Sequence, residues 1–341
     1  MGVKTVGRTR DPYWDSVKFS LICCVVYIHT LITFGKIPGS ATLGLHNFFY
    51  FFSMPLFIFI SGRFTKVGSK KKYIWGIIGL LETYFLFQVI QIFVKDCIIG
   101  HGVFRPTKVI FMIQWTLWYL LALVIMRLLI WCIPEHIRRD RFKLVLAISL
   151  VISLLVGFIP LKKYSMFIQT FALMPYFCLG YYSNKVDLKN KMERIPSWAA
   201  VVIILLTLLL FCCVFNDNIS KYFDYGFTFL ACPGPSVLFN FGFRIFHFIG
   251  VVFIGIIWMR IIPGNNSLMS KWGQGTLTIY MFHPVILLFL KGCLQRDMIP
   301  ANPWWALPVA AIIVAGIGML SNFEWMKMIL SPITYWVKKR L

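Results

Sequence analysis

Lys18 and His29 stand eleven residues apart. That is close to three turns at about 3.6 residues per turn, so on a helix an ammonium and an imidazole share one face roughly 16 Å apart. Imidazole, with an unperturbed pKa near ~6.5, exchanges protons at neutral pH and suits general-base work, while an ammonium suits an anionic ligand. Asp15 lies one turn before Lys18. Other ionisable or amide side chains sit where the chain is otherwise apolar: Glu82, Gln88 and Gln91, Arg127, Arg244 and His247, His283, and Glu324. Arg244 and His247 share a helix face by their i, i+3 spacing. A charge inside hydrocarbon costs at least ~2.5–3.5 kcal/mol on insertion scales, so such groups turn toward a protein interior and find partners. Basic groups outnumber the acids, which suits an anionic ligand. Pairing with backbone carbonyls, or a lysine reaching for lipid phosphate, accounts for the same pattern without chemistry.

The elements that must position these groups are membrane helices. The chain is 59% hydrophobic, 17% aromatic and 13% charged over 341 residues, whereas a soluble domain has about 45–50% apolar and about 25% charged residues. Apolar runs near ~20 residues recur throughout, giving an all-α polytopic helical bundle, a single membrane domain over residues 1–341 with about ten spans. The expected spans are 17–34, 47–62, 73–94, 109–133, 142–160, 165–183, 197–215, 237–259, 275–292 and 304–323. The first run ends in Leu31-Ile32-Thr33-Phe34 without the small residues of a cleavage site, so it reads as a retained span. The second is short and aromatic-rich, and Pro55 at its middle frees a carbonyl that must be satisfied internally. The 216–236 stretch, with Cys232-Pro233-Gly234-Pro235, reads as a loop or a re-entrant piece.

The net charge of +22 does not point to nucleic acid, because the basic residues form short clusters between apolar runs rather than one stripe. With the N-terminus inside, that side receives 22 lysines and arginines, in the segments 4–10, 63–72, 138–143, 185–194, 260–271 and 327–340, and the other side 9. An even number of spans with N-in, C-in topology follows. The nine cysteines, including the adjacent pairs Cys23/Cys24 and Cys212/Cys213 within apolar runs, lack paired CxxC spacing and read as small buried hydrophobes rather than a disulfide or metal framework.

Lys18 followed by ten residues and then His29 resembles the R/K-x10-H motif in the first span of the acyltransferase 3 family of membrane acyltransferases. Tyr13-Trp14-Asp15-Ser16-Val17-Lys18 is similar to that family's opening segment, and Met54-Pro55-Leu56-Phe57 with Ser61-Gly62 to its "FHMPLF…SG" stretch. Trp118-Tyr119-Leu120-Leu121-Ala122-Leu123 resembles "WFLxAL", Pro175-Tyr176-Phe177-Cys178-Leu179-Gly180-Tyr181 resembles "PFFxLGY", and Leu277-Thr278-Ile279-Tyr280-Met281-Phe282-His283 resembles "LxIYxxH". The matches fall in family order over nearly the whole chain. The resemblance implies a helical domain in the bacterial cytoplasmic (inner) membrane that moves an acyl group, commonly acetyl from acetyl-CoA, onto a hydroxyl of a cell-envelope or secreted polysaccharide or a lipid-linked glycan. Acyl-CoA is then a donor substrate, with no bound cofactor and no metal. Three departures stand out. Ser53 replaces the histidine before Met-Pro, so a second imidazole must come from His46 or His283. Lys18 keeps the charge of the usual arginine without its bidentate fork. Glu82 stands where relatives tend to have the proline of "RLxxPY". The reading expects no appended soluble hydrolase-like domain, so any relay of the acyl group is expected to rest on the membrane domain or on a separate protein.

On this reading His29 is the base, or the carrier of an acyl-histidine intermediate, and Lys18 orients the site or binds donor phosphate. Arg63, with Lys66, Lys70, Lys71 and Lys72, attracts the polyphosphate of acyl-CoA. Asp15, Glu82, Arg127 and His283 complete the substrate site. Trp118, Tyr119 and Tyr280 pack on a sugar ring or line a tunnel, unless they are interfacial anchors. The expected partners are acyl-CoA, a carbohydrate acceptor, membrane lipids and polysaccharide biosynthesis proteins. The competing class is a transporter or flippase in which His29, Glu82 and Arg127 form a proton or substrate path, although no inverted pair of Gly/Pro-broken helices stands at matched positions. A purely structural membrane protein leaves the costly polar residues unexplained.

Overall fold

The chain turns helical at Pro12, where the Asp11 carboxylate accepts the amide of Tyr13 at 3.0 Å and the proline supplies a first residue that needs no donor. This helix, α1 (Pro12–Phe34), ends at Gly35, whose φ of 96° is a conformation glycine adopts without strain. The computed structural model describes residues 11–35, 40–100, 107, 113–159, 165–214, 221–223, 228–229, 236–264, 267–296 and 298–340. Within them follow α2 (Ala41–Phe64), α3 (Lys70–Phe93) with a π-helical continuation over Val94–Ile99, α4 (Trp118–Cys132), α5 (Glu135–Asp140) and α6 (Phe142–Leu155). Next come α7 (Ser165–Ser183), α8 (Leu188–Glu193), α9 (Ser197–Val214), α10 (Val237–Ile261) and α11 (Leu268–Gly273). The chain closes with α12 (Thr276–Gln295), α13 (Ala306–Leu320), α14 (Glu324–Leu330) and α15 (Pro332–Arg340).

The described residues contain no strand, and the chain is an all-α polytopic membrane bundle. Each expected span contains a helix, and among the described residues seven stretches have the length and hydropathy of a crossing. The helix in 109–133 begins only at Trp118, because Gln114–Leu117 form a turn. Conversely α2 begins six residues before the expected 47, which brings His46 and Asn47 onto a helix long enough to span. Of the 216–236 stretch, Lys221–Phe223 form a short turn whose Phe223 is buried beside Phe51 and His247, and Thr228 and Phe229 are buried too; the Cys232–Pro235 motif lies outside the described residues.

α1 is the axis of the bundle, buried on nearly every face and wrapped by α2, α11, α12 and α13. α2 and α7 cross backbone to backbone. A Cβ on Gly62 would come within 2.1 Å of the Phe177 carbonyl oxygen, and one on Gly180 within 1.9 Å of that of Phe59. Small residues at both contact points are what lets membrane helices approach so closely. The phenylalanines of α2 fill the core, with Phe48, Phe52 and Phe57 buried and Phe52 against Trp258 at 5.0 Å.

The costly polar groups of the spans are mostly spent on this scaffold. Pro55 cannot donate to Phe51, four residues back, and His247 Nε2 on α10 donates to that freed carbonyl at 3.1 Å. Leaving such a buried acceptor unpaired costs about 1–3 kcal/mol. One turn earlier Arg244 Nη1 donates to the Ser153 carbonyl in the last turn of α6 at 2.8 Å. Arg244 and His247 therefore serve carbonyls rather than an anionic ligand. Glu82, deep in α3, caps α15: its carboxylate accepts the amides of Ile333 at 2.5 Å and Thr334 at 3.0 Å. The last segment of the chain thus folds back as two short helices against α3, which the sequence reading did not foresee.

Candidate active site

His29, about three-quarters of the way along α1, faces inward onto α12. Its Nδ1 lies 2.9 Å from Nε2 of His283, with the rings stacked 11° from parallel and their centres 5.2 Å apart. α12 fixes the second ring through a local feature of sequence. His283 Nδ1 turns back along its own helix to lie 3.0 Å from the Ile279 carbonyl one turn earlier, and Pro284 beside it leaves the Tyr280 carbonyl without its helical donor. A carbonyl only accepts, so that nitrogen carries a hydrogen. A neutral imidazole has one N–H, so His283 Nε2 accepts and His29 Nδ1 donates to it. His29 Nε2 is left as an unprotonated lone pair with no partner among the described residues. His283 is fully buried, whereas His29 keeps a partly exposed edge beneath Trp115, whose ring centre is 4.4 Å away.

From this pair a line of aromatic groups leads toward the end of the bundle where α1 begins. Tyr280 lies 5.8 Å from His283 and 5.1 Å from Tyr119. Tyr280 donates its hydroxyl to the Thr116 carbonyl at 2.6 Å, and the Tyr119 hydroxyl pairs with Ser61 at 2.8 Å. Both tyrosines are buried, so they hold the wall together rather than offer an open face to a sugar; Trp118, next to Tyr119, is partly exposed.

At that end Lys18 pairs with Asp15 at 2.5 Å and lies 5.4 Å over the ring of Phe64. Phe64 is also a wall of a 340 Å³ cavity bordered by Lys66, Lys72, Ser69, Tyr73 and Arg127. The Nε of Arg127 is buried there without a partner, and no carboxylate pairs with Lys66, Lys72 or Arg127 among the described residues. Gly76 lies beside Arg127, since a Cβ there would stand in ordinary contact, 3.8 Å from Arg127 Nη1. Three cations around a cavity with no carboxylate in its lining suit an anionic group.

Two expected site residues lie elsewhere. Arg63 stacks on Trp14 at 4.3 Å and donates to the carbonyl and hydroxyl of Ser183 and to the Val186 carbonyl, tying down the end of α7. Glu82 is the α15 cap already described, which also deprives a proton path of its acid. Ser53, in place of the familiar histidine of the second span, is fully buried, and the second imidazole comes from α12. Trp115 was missed: it precedes the aromatic motif of α4, and nothing in its immediate sequence marks it as the ring that lies on His29.

A family model described as an acyltransferase domain matches residues 11–322. The chain belongs to the acyltransferase 3 family. No curated protein and no solved structure matches it. The acyltransferase is thus an integral membrane enzyme whose matched region runs from the cap of α1 through the end of α13. The motif residues have separate duties within it. The R/K-x10-H pair occupies the bundle axis, the "SG" and "LGY" glycines form the α2–α7 crossing, and the "LxIYxxH" histidine faces the first one.

Proposed function

We propose that this acyltransferase moves an acyl group, acetyl first among candidates, from acyl-CoA to a hydroxyl of a cell-envelope or secreted polysaccharide or a lipid-linked glycan in the bacterial inner membrane. The observation that carries the reading is the lone pair of His29 Nε2, held in that state by the chain His29–His283–Ile279. It removes the proton of the acceptor hydroxyl as the oxygen attacks the thioester carbonyl. The tetrahedral intermediate then collapses with cleavage of the C–S bond, and the imidazolium returns the proton to the departing CoA thiolate. Atoms and charge balance without a further reactant, and direct transfer needs no acyl-histidine.

The phosphates of the donor fit the cavity of Lys66, Lys72 and Arg127, with the acyl arm running past Lys18 and along the Ser61–Tyr119–Tyr280 wall to His29. Lys18, held by Asp15, positions the arm where it leaves the cavity. With the basic end cytoplasmic, donor and acceptor enter from opposite ends of the helix axis, and polysaccharide biosynthesis proteins supply the acceptor. Purified protein incubated with radiolabelled acetyl-CoA and candidate glycans tests this directly. Label on the glycan, or hydrolysis of acetyl-CoA, is expected; glycan uptake into liposomes without any label movement identifies a transporter instead.

A further inference from the structure

Away from His29, at the same basic end of the bundle, two cavities adjoin. One, of 310 Å³, lies between α2 at Pro55, α7 and α10, with α8 beneath it; its walls, Leu56, Tyr176 and Val252 among them, are almost wholly carbon, and Lys191 stands at its floor. The other, of 400 Å³, is polar and bordered by Lys189, Arg260, Glu193 and Tyr13. Met192 and Met259 line both, so the apolar groove and the polar chamber meet at these two side chains. Val252 and Ile256 on the groove's rim remain accessible from the side, where hydrocarbon would be.

The charges of the chamber are set in place. Lys189 Nζ lies 5.7 Å from the Tyr13 ring and beside Gly264, where a Cβ would come within 3.1 Å of it. Arg260 donates Nε to the Ile195 carbonyl at 2.6 Å, which fixes its guanidinium at the wall. None of Lys189, Lys191 and Arg260 has a carboxylate partner among the described residues. These three cations face the single acid Glu193 across the two cavities. Trp198, beside the chamber residue Ser197, is 72% exposed, as an aromatic at headgroup depth would be. A sideways-open apolar groove that ends in a net-positive chamber at the interface complements an amphiphile with an acyl chain and an anionic head.

We propose that the two cavities form a binding site for an anionic phospholipid of the leaflet on the basic side, with one acyl chain in the groove and the phosphate between Lys189 and Arg260. The site is separate from the His29–His283 pair. It touches the catalytic scaffold through Tyr13, whose hydroxyl donates to the Met259 carbonyl at 2.8 Å, so an occupied site braces the first turn of α1.

The test uses full-length protein, delipidated in a zwitterionic detergent and titrated with phosphatidylglycerol or phosphatidylcholine, followed by native mass spectrometry and thermal unfolding. Retention of one phosphatidylglycerol at least about tenfold above phosphatidylcholine is expected, with an unfolding midpoint that rises with its concentration. The pair Lys189→Glu/Lys191→Glu should reduce phosphatidylglycerol retention to the phosphatidylcholine level, whereas Arg141→Glu/Lys143→Glu, the same charge change at two exposed positions away from the cavities, should leave it intact. Val252→Trp, which fills the groove without altering charge, should lower retention of both lipids. If the Lys189→Glu/Lys191→Glu variant does not elute as the native chain does, Lys189→Gln/Lys191→Gln is read in its place. Equal retention of the two lipids by the native chain, or phosphatidylglycerol retention unchanged in the charge variant, overturns the proposal.

Discussion

The protonation of His29 is decided on α12. His283 Nδ1 is committed to a carbonyl of its own helix, so its other nitrogen must accept, and the pair can hold only one arrangement of hydrogens while both rings are neutral. On the proposed mechanism His283 acts as a positioning residue. His283→Ala should leave the His29 ring free to turn and to exchange tautomers, lowering kcat by roughly 10²–10⁴-fold and moving the acid limb of the pH–rate profile. His283→Gln, whose Oε1 can accept the same N–H, should recover part of that loss; a variant series in which alanine and glutamine behave alike would remove the tautomer argument. The spacing from Lys18 to His29 was legible in the sequence because one helix fixes it. The meeting of His29 with His283 was not, because 254 residues separate them and their contact depends on the register of two helices. Trp115 escaped notice for the same reason, compounded by a turn where continuous helix was expected.

At the scale of elements, the fold turns on where backbones can touch. Gly180→Val places a side chain against the Phe59 carbonyl with no rotamer to relieve it, and the expected outcome is loss of folded protein from the membrane fraction. Gly316→Ala is the matching control, since nothing lies within 4 Å of a Cβ there and the helical position should gain about 0.4–1 kcal/mol. The caps can be probed separately. Glu82→Ala frees the start of α15 at a cost of about 0.5–2 kcal/mol, which limited proteolysis of the C-terminal segment would register while acyl transfer continues. Abolished transfer in a normally folded Glu82→Ala protein would return that carboxylate to the site. Helix positions were readable from apolar runs alone, and the carbonyl freed by Pro55 was anticipated, but its partner His247 and the cap role of Glu82 required the packing.

Over the whole molecule, charge is distributed by depth. By the sequence count lysines and arginines crowd one end, the cavity of Lys66, Lys72 and Arg127 and the cavity of Lys189 and Arg260 are both lined by them, and the His29–His283 pair lies among the buried ionisable groups of the described residues. That asymmetry was readable at once from the clusters between apolar runs. It is also a statement about orientation: reporters fused to either terminus should both read cytoplasmic, and a C-terminus on the opposite side would break the N-in, C-in assignment and with it the cytoplasmic entrance for acyl-CoA. The shapes of the cavities were not readable, since each is walled by helices distant in sequence. All of this converges on one nitrogen. The most direct test is transfer of labelled acetyl from acetyl-CoA in membranes carrying equal amounts of native protein and His29→Ala. The expected result is labelled glycan with the native chain and none above background with the variant; transfer by His29→Ala at the native rate would contradict a mechanism centred on that imidazole.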